Sequence, residues 1–362
     1  MTPRERFLNS LLCRPVDRFF RYEHGPWPST FERWRREGFP ADQSFAAVFA
    51  MDPLARIMIA SGYTDSPYWP KFEERVIEET PEQRTYMDGD GIVKRVFRQH
   101  ADTSMPQFLT FPVTDRADWA ALRRRLDPAD AAARCGAPES LRALAADPGV
   151  PTMLPICGAF GHPRNLFGDE GLAYVQFDDP ALLDAILENW CDLYRALLTE
   201  LTRIIRVDVL LVWEDMCYKN GPLISPAHFR RFMQPPYRRL IEHARACGVQ
   251  AILVDTDGDC LSLIPDIIEA GADAFMPFEV QAGMDVVAIR RQFGPAFGIM
   301  GGLDKRALAD GHTRADIGRE VDRVLPFFIE RGGFIPTLDH TVPTDVPLDH
   351  FRWYLDCVRK YE

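Results

Sequence analysis

After about residue 150, the chain alternates short apolar runs with longer amphipathic segments. The apolar runs are continuous rather than alternating, which is typical of parallel strands buried on both faces of a sheet. The segments between them have helical periodicity, and one opens with a capping pair, Ser225 followed by Pro226. The pattern predicts six strands, within VPTMLPICGAF, VDVLLVWEDM, VQAILVDTDGD, ADAFMPFEV, AFGIMGGLD and GFIPTLDH. Helices are predicted over residues 180–206, 225–248, 261–270, 284–293, 313–332 and 346–361.

The region before residue 150 is less regular. A short helix is predicted from Pro3 to Cys13, and an aromatic-rich stretch, RFFRYEHGPWPSTFERW, follows it. Residues 75–99 alternate on both sides of the Asp-Gly-Asp-Gly turn at 88–91, which predicts a β-hairpin. A further helix is predicted after Thr114 or Asp115, either of which can cap its first turn.

Repeated strand–helix units fit either a doubly wound sheet or a (β/α)₈ barrel. The first strand lacks a glycine-rich phosphate loop, which weakens the nucleotide-binding alternative. The length of 362 residues and the polar residues at nearly every strand end favour the barrel. We predict an α/β protein with one barrel domain over residues 1–362. Residues 1–150 would form an irregular extension with the hairpin and the first barrel elements, and residues 151–362 the regular repeats.

Composition narrows the class of protein further. The formal net charge of −11 and the pI near 5.3 argue against a nucleic-acid or anionic-membrane partner. The chain has no apolar run of about 18 residues and its first residues lack a secretory signal, so a cytoplasmic protein is predicted. Eight widely spaced cysteines without a CxxC pair indicate reduced thiols. For Cys157, Cys217 and Cys260, core packing is favoured over a catalytic or zinc-binding role.

Polar residues at the strand ends are expected to converge at the carboxyl-terminal mouth of the barrel. Asp259 and Asp304 are predicted to cap the helices that follow them, and Gly301–Gly302 to permit a close backbone approach. The remaining strand-end residues are the candidate site: His162, Arg164, Glu214, Asp215, Tyr218, Lys219, Asp255, Asp257, Glu279, Gln281, Asp339 and His340.

So many neighbouring carboxylates need a divalent cation, a raised pKa on some members, or a cationic substrate. One interpretation is a metal site formed by Asp255 or Asp257 with Asp339 and His340. Mixed oxygen and nitrogen ligands suit zinc, manganese or iron, and an all-oxygen set suits magnesium. The other is acid–base catalysis with Glu214 or Asp257 as general acid. The predicted catalytic residues are Glu214, Asp257, His340 and His162, and the predicted substrate contacts are His24, Trp27, Trp213, Tyr218, Glu279 and Gly302.

The opening MTPRERFLNSLLCRPVDRFF resembles the start of members of the uroporphyrinogen decarboxylase superfamily. Similar stretches recur as FPVTDRADWAALRRRLDP, GPLISPAHFRRFMQPPYRRLIEHARACG, MGGLDKRAL and VPLDHFRWYL. The resemblance covers nearly the whole chain and implies an enzyme with a single distorted (β/α)₈ barrel and a homodimer. The superfamily contains the decarboxylase itself and methyltransferases that exchange methyl groups with corrinoid proteins or thiols.

Two departures from the superfamily matter for function. The decarboxylase binds the carboxylates of its substrate through an Arg-Gln-Ala-Gly-Arg-Tyr element. Here the corresponding stretch, from Arg21 to Trp27, keeps one arginine at best, and Glu23 would repel a carboxylated tetrapyrrole. True uroporphyrinogen decarboxylation is therefore not expected. The corrinoid methyltransferases bind zinc through a His-x-Cys-Gly element and a later Cys, which align here with Asp255–Gly258 and with Asp339.

The resemblance therefore implies hard oxygen donors, with His340 alongside, for a metal that would activate an oxygen rather than a thiol. Our first hypothesis is methyl transfer from a methoxylated or methylated small molecule to cobalamin carried by a separate corrinoid protein. The second is a decarboxylase or lyase that acts on a small carboxylated substrate without cobalamin. The third is a non-catalytic barrel that binds a ligand or a partner subunit.

Overall fold

A computed structural model describes residues 1–63, 65–100 and 105–362. The strands are β1 (Ala55–Arg56), β2 (Arg75–Glu79), β3 (Gln83–Met87), β4 (Val93–Phe97), β5 (Gln107–Thr110), β6 (Thr152–Cys157), β7 (Val209–Trp213), β8 (Cys217–Tyr218), β9 (Gly221–Pro222), β10 (Ala251–Asp255), β11 (Ala274–Met276), β12 (Gly298–Met300) and β13 (Phe334–Ile335). The α-helices are α1 (Pro3–Leu11), α2 (Pro28–Arg36), α3 (Phe45–Val48), α4 (Arg116–Leu122), α5 (Ala131–Arg134), α6 (Pro138–Leu144), α7 (Gly161–Asp178), α8 (Pro180–Thr202), α9 (Pro226–His228), α10 (Gln234–Ala246), α11 (Ile264–Ala270), α12 (Val286–Phe293), α13 (Arg314–Ile329) and α14 (Leu348–Arg359).

Within these described residues, seven parallel strands pair in the order β1-β6-β7-β10-β11-β12-β13. All six strands predicted after residue 150 are present, and β1 joins the sheet beside β6. Strands β6, β7 and β10 to β13 are buried along almost their whole length, as their continuous apolar runs predicted. The predicted α/β barrel class is confirmed.

The extended segment 20–27 lies at the seam between β1 and β13. On one side, the carbonyl of Arg21 accepts a hydrogen bond from the amide of Asp52 (2.9 Å). On the other side, the Val342 amide donates to Gly25 (3.0 Å) and the Trp27 amide donates to Val342 (3.2 Å). The eighth side of the barrel is thus an irregular segment, which explains why the sequence shows no strand signal there.

The barrel sheet has apolar side chains on both of its faces. Alternate strand residues such as Leu154, Leu210 and Ile252 face the surrounding helices, and their neighbours face the barrel interior. Helix α1 fills the amino-terminal end of that interior with apolar side chains. The interior cluster consists of Phe7, Leu8, Leu11, Phe20, Met153, Val209, Leu211, Ala251, Leu253, Ala274, Met276, Met300 and Ile335. The polar strand-end side chains therefore lie at the opposite end of the barrel, where the strands end.

The amino-terminal extension contains a four-stranded antiparallel sheet, β2-β3-β4-β5. The predicted hairpin is β3 and β4, joined by the turn at residues 88–91, so that prediction is confirmed. Asp115 caps α4 by accepting hydrogen bonds from the amides of Ala117 and Asp118, as predicted for one of the two candidates.

Two helix predictions need correction. Helix α7 was not predicted, and Gly168 interrupts its helical backbone with φ 73°. Helix α11 begins at Ile264 rather than Leu261, because the residues before it form a turn. No helix among the described residues combines the length and apolarity needed to cross a membrane.

Candidate active site

Three carboxylates, of Asp215, Asp255 and Asp257, lie together where β7 and β10 end. Asp255 is the last residue of β10 and pairs in register with Trp213 at the end of β7. The loops after the two strands are joined, because the Met216 amide donates to the Thr256 hydroxyl (3.2 Å). The parallel sheet thus gathers at one mouth carboxylates that lie about forty residues apart in the sequence.

Burial and mutual repulsion change the protonation of this cluster. Burial raises the pKa of Asp255 well above its ordinary value, and the charges of Asp257 and Asp215 raise it further. Burial, with a contribution from Asp257, also raises the pKa of Asp215. The arrangement favours a neutral, proton-bearing Asp255 at the centre of the cluster.

The other two carboxylates have cationic partners. The Nε2 atom of His340 lies 3.5 Å from Oδ2 of Asp257, and the hydrogen bond raises the pKa of His340. The Nη2 atom of Arg164 lies 3.5 Å from Oδ2 of Asp215, and its guanidinium stands over the ring of Trp213 at 5.1 Å. Asp255 has no such salt bridge within the described residues.

A second ionic group lies beside the first. The Nζ atom of Lys305 is 3.4 Å from Oδ1 of Asp339 and 3.7 Å from Oε1 of Glu279. Asp339 is fully buried and accepts further hydrogen bonds from the amides of Val280 (3.0 Å) and Lys305 (3.1 Å). Glu279 accepts from the amide of Gly258 (3.0 Å). The carboxylates of Asp339 and Glu279 are therefore both fixed by Lys305 and by backbone amides.

Three aromatic residues among the predicted substrate contacts lie at the mouth. Trp27 is 45% exposed and stacks on His340, with ring centroids 6.5 Å apart. Trp213 is half-buried and meets the ring of Tyr63 edge-on at 6.3 Å. Tyr218 is 61% exposed at the rim.

His24 is present as a neutral imidazole. Burial lowers its pKa to about 3, and the positive charges of His340 and Arg56 contribute. Its ring stands edge-on to Tyr22, with centroids 5.6 Å apart.

Arg56, Tyr22 and Tyr63 also lie at the mouth and were not among the predicted site residues. Arg56 ends β1, and its guanidinium donates a hydrogen bond to the Tyr22 hydroxyl. Burial raises the pKa of Tyr63 to about 12, and Asp255 adds to that increase. The available signal was the apolar stretch 54–60 around Arg56, which was not predicted as a strand; β1 covers only two of its residues.

Two predicted catalytic residues lie elsewhere. Glu214 is fully buried, and its carboxylate accepts hydrogen bonds from the amides of Ala159 (2.9 Å), Phe160 (2.6 Å) and Gly161 (3.2 Å). Burial raises its pKa, but its oxygens cap α7 and face three backbone amides rather than the carboxylate cluster. His162 is buried on α7, and burial alone, without any charged neighbour, lowers its pKa to about 4. His162 is not part of the carboxylate cluster.

Of three further interpretations, two change and one holds. Asp259 does not cap α11, which was wrong; its carboxylate accepts from the amide of Leu261 (3.0 Å) in the turn before it. A side chain at Gly302 would lie 2.2 Å from Val286, so this glycine serves close packing, as predicted. Glu23 does not face the mouth, because the Tyr354 hydroxyl (2.7 Å) and the Leu338 amide (3.1 Å) donate to it in the interior.

The predicted metal ligands are not assembled as one set. Asp255, Asp257 and His340 are neighbours, but Asp339 is engaged by Lys305 and two backbone amides. Over the ranges that the structure describes, no group of three or more His, Cys, Asp or Glu side chains is arranged to hold a metal ion. The predicted set of Asp255 or Asp257 with Asp339 and His340 is therefore not gathered around one point among the described residues.

The parallel sheet, with acidic side chains gathered at its carboxyl-terminal ends, identifies the protein as an α/β barrel. Residues 102–361, well over half of the chain, match the family described as "Uroporphyrinogen decarboxylase (URO-D)". The protein belongs to the uroporphyrinogen decarboxylase family.

Curated relatives are distant and matched over part of their length. The uroporphyrinogen decarboxylase of Pelobacter propionicus is 28% identical over 141 residues, which is 39% of each chain. That of Gloeobacter violaceus is 24% identical over 187 residues, 51% of this chain and 50% of the relative. The chain thus matches about half or less of the length of these relatives.

One solved structure shares the whole fold. A methyltransferase from Methanosarcina mazei superposes with a TM-score of 0.63, covering 100% of this chain and 99% of that protein. The two sequences are 12% identical, so this likeness shows the fold alone.

Proposed function

We propose that this protein is a decarboxylase-type enzyme that acts on a small carboxylated molecule at the barrel mouth, with Asp255 as the proton donor. The observation that carries the proposal is the position of Asp255, which ends β10 between two other carboxylates and lacks their salt-bridge partners among the described residues. Burial and the two neighbouring carboxylates raise the pKa of Asp255 well above its ordinary value, which favours the protonated form that a general acid needs.

The decarboxylation step uses only Asp255, water and the substrate itself. The bond between the substrate carbon and its carboxylate breaks, and CO₂ leaves. The electron pair stays on the substrate carbon, which then takes the proton of Asp255. Water at the mouth returns a proton to Asp255. The substrate must itself hold an electron-withdrawing group that stabilises the negative charge until protonation.

The tetrapyrrole substrate of the relatives is not part of the proposal. Arg21, the one arginine that remains from the family's carboxylate-binding element, pairs with Glu362. Glu23 is buried and so does not repel a tetrapyrrole at the mouth. Because Arg21 is already paired, it is not free to bind a tetrapyrrole carboxylate, and a different, smaller substrate is expected.

Methyl transfer is the second candidate. It is favoured by the location of Asp255–Gly258, which resembles the ligand element of corrinoid methyltransferases, at the mouth of this barrel. In that reaction the methyl–oxygen bond of the substrate breaks with its electron pair left on oxygen, and Asp255 protonates that oxygen. A separate corrinoid protein would accept the methyl group.

Product analysis separates the candidates. Purified protein is incubated with panels of small carboxylic acids and methoxylated compounds, and CO₂ release and methylation of added cob(I)alamin are measured. Asp255→Asn should lower turnover by about 10²–10⁴-fold, because general acid catalysis is removed. Turnover should also fall as pH rises through the raised pKa of Asp255, since the acid must be protonated.

Asp259→Asn is the matched control, because an amide oxygen can still accept from Leu261 in the same loop. Undiminished turnover of Asp255→Asn would disprove the proposal. A folded protein that forms neither product would support the non-catalytic barrel. Metal analysis of the same preparation tests the metal prediction, and stoichiometric metal that Asp257→Asn abolishes would support it.

A further inference from the structure

Most of the charged side chains at the mouth are paired with a side chain of opposite charge. Asp257 is paired with His340, and Asp215 with Arg164. Lys305 lies between the other two carboxylates of the mouth. Within the described residues, Arg56 and Lys219 have no carboxylate at salt-bridge distance; Lys219 is exposed, whereas Arg56 is half-buried.

The surroundings of Arg56 make this unpaired charge notable. Its guanidinium donates a hydrogen bond to the Tyr22 hydroxyl and lies 5.7 Å from the centre of the Tyr22 ring. None of its nitrogen atoms is both buried and unpartnered, so the other N–H groups reach the solvent of the mouth. Tyr22 occupies only part of the guanidinium, so the remaining N–H groups of this half-buried cation can donate charge-assisted hydrogen bonds to an anionic ligand.

We propose that Arg56 anchors an anionic group, a carboxylate, that the substrate keeps throughout the reaction. The planar guanidinium offers parallel N–H donors that match the two oxygens of a carboxylate. Tyr22 orients the guanidinium from the opposite side. This inference names the substrate class and rests on the proposed function.

The anchored carboxylate differs from the one that leaves. An ion pair with Arg56 stabilises the carboxylate before reaction and would raise the barrier to its loss as neutral CO₂. The reacting carbon must instead reach Asp255, whose proton it takes. The substrate class is therefore a small molecule with at least two acidic groups, one retained at Arg56 and one lost beside Asp255.

Arg164 is a less suitable anchor. Its guanidinium is paired with Asp215, donates to the Asp215 carbonyl (2.8 Å), and has one face against Trp213. A substrate carboxylate would have to compete with these contacts.

Isothermal titration calorimetry with succinate and glutarate as probes tests the anchor on the full chain. Wild-type protein should bind these diacids and not their neutral diamides. Arg56→Gln should weaken binding by about 10- to 100-fold, because hydrogen bonds to a charged group contribute about 1.5–3 kcal/mol. Arg56→Lys should retain part of the affinity, and Arg123→Gln, on an exposed helical turn, should retain all of it.

Four outcomes decide the matter. Unchanged binding by Arg56→Gln, or no binding of either diacid by wild-type protein, would overturn the anchor. Arg56-dependent binding of sulfate alone would overturn its assignment to a carboxylate. Asp255→Asn should still bind diacids while losing turnover. If that variant binds and also keeps turnover, the anchor stands and the proposed proton donor fails.

Discussion

Single residues at the mouth are constrained by close backbone contacts as well as by charge. Gly258, in the turn after β10, has φ 77°, and its position lies against the backbone of Cys217 and Tyr218. A Cβ atom there would be 2.8 Å from those backbone atoms. The carboxylates of the β10 loop therefore keep their positions only if residue 258 remains a glycine.

We expect Gly258→Ala to destabilise the protein by more than the roughly 1–2 kcal/mol that a left-handed backbone costs a residue with a side chain. The added clash with the β7 loop is the reason, and urea unfolding measures the effect. Gly283→Ala is the matched control, because Gly283 has φ 84° with nothing within 4 Å of its Cβ position. Equal losses for the two variants would show that the contact with residues 217–218 is unimportant.

Glu23 provides a test of buried charge. Burial raises its pKa to about 8, while its ordinary value is 4.5, so the folded protein holds a proton that the unfolded chain has released. Between these two pH values the native state binds more protons than the unfolded state. The contribution of Glu23 to the free energy of unfolding should therefore decline as pH rises from about 4.5 to 8 and be constant above.

The predicted decline is on the order of a few kcal/mol, since one pKa unit corresponds to about 1.4 kcal/mol. Urea unfolding of wild type and Glu23→Gln across this pH range measures it as the difference between the two curves. Glu32→Gln, at an exposed position on α2, is the control and should run parallel to wild type. A constant difference between wild type and Glu23→Gln would contradict the assigned pKa.

At the scale of elements, the start of α7 depends on a residue from another strand. No side chain of its own N-cap residue, Phe160, closes the helix. The carboxylate of Glu214, just after β7, accepts from three amides there and also faces the positive end of the helix dipole. Glu214 thus joins two neighbouring strand–helix units beside the active site.

Glu214→Gln should lower the free energy of unfolding by about 1–3 kcal/mol, because one acceptor oxygen becomes an amide donor that faces backbone N–H groups. Chemical denaturation provides the measurement. Glu200→Gln is the control, since its exposed pair with Arg203 is expected to contribute less than about 1 kcal/mol. Turnover lost without any loss of stability would return Glu214 to the list of catalytic residues.

At the scale of the whole molecule, the first helix closes the barrel far from the active site. Phe7 of α1 is fully buried in the barrel interior, with its ring 4.7 Å from that of Phe20. Segment 20–27 then continues to the seam and carries Tyr22 and His24 into the mouth. The amino terminus thus contributes to both ends of the barrel.

Phe7→Ala should destabilise the protein by about 3–5 kcal/mol, because it leaves a cavity in the barrel interior. Thermal or urea unfolding measures this change. Phe177→Ala, at a side chain that is 73% exposed on α7, should have little effect. Similar stabilities for the two variants would mean that α1 does not close the barrel.

The strand–helix units could be predicted because their signal is local. Each apolar run from β6 to β13 was visible in the sequence, and each of these runs forms a parallel strand. The sequence was less informative where elements are short or irregular, as at β1, at segment 20–27 and at α7 with Gly168. No periodic pattern can develop in two residues or across an interruption.

By itself, then, the sequence determined the barrel class, the acidic strand ends and the family resemblance, since all three depend on neighbouring residues. Only the tertiary structure decided how those acidic groups divide. Glu214 faces three amides, Asp339 faces Lys305, and Asp255 has no salt bridge within the described chain. It also brought Arg56 to the mouth. Counter-ions and burial determine protonation, and both come from distant parts of the chain that meet only in the fold.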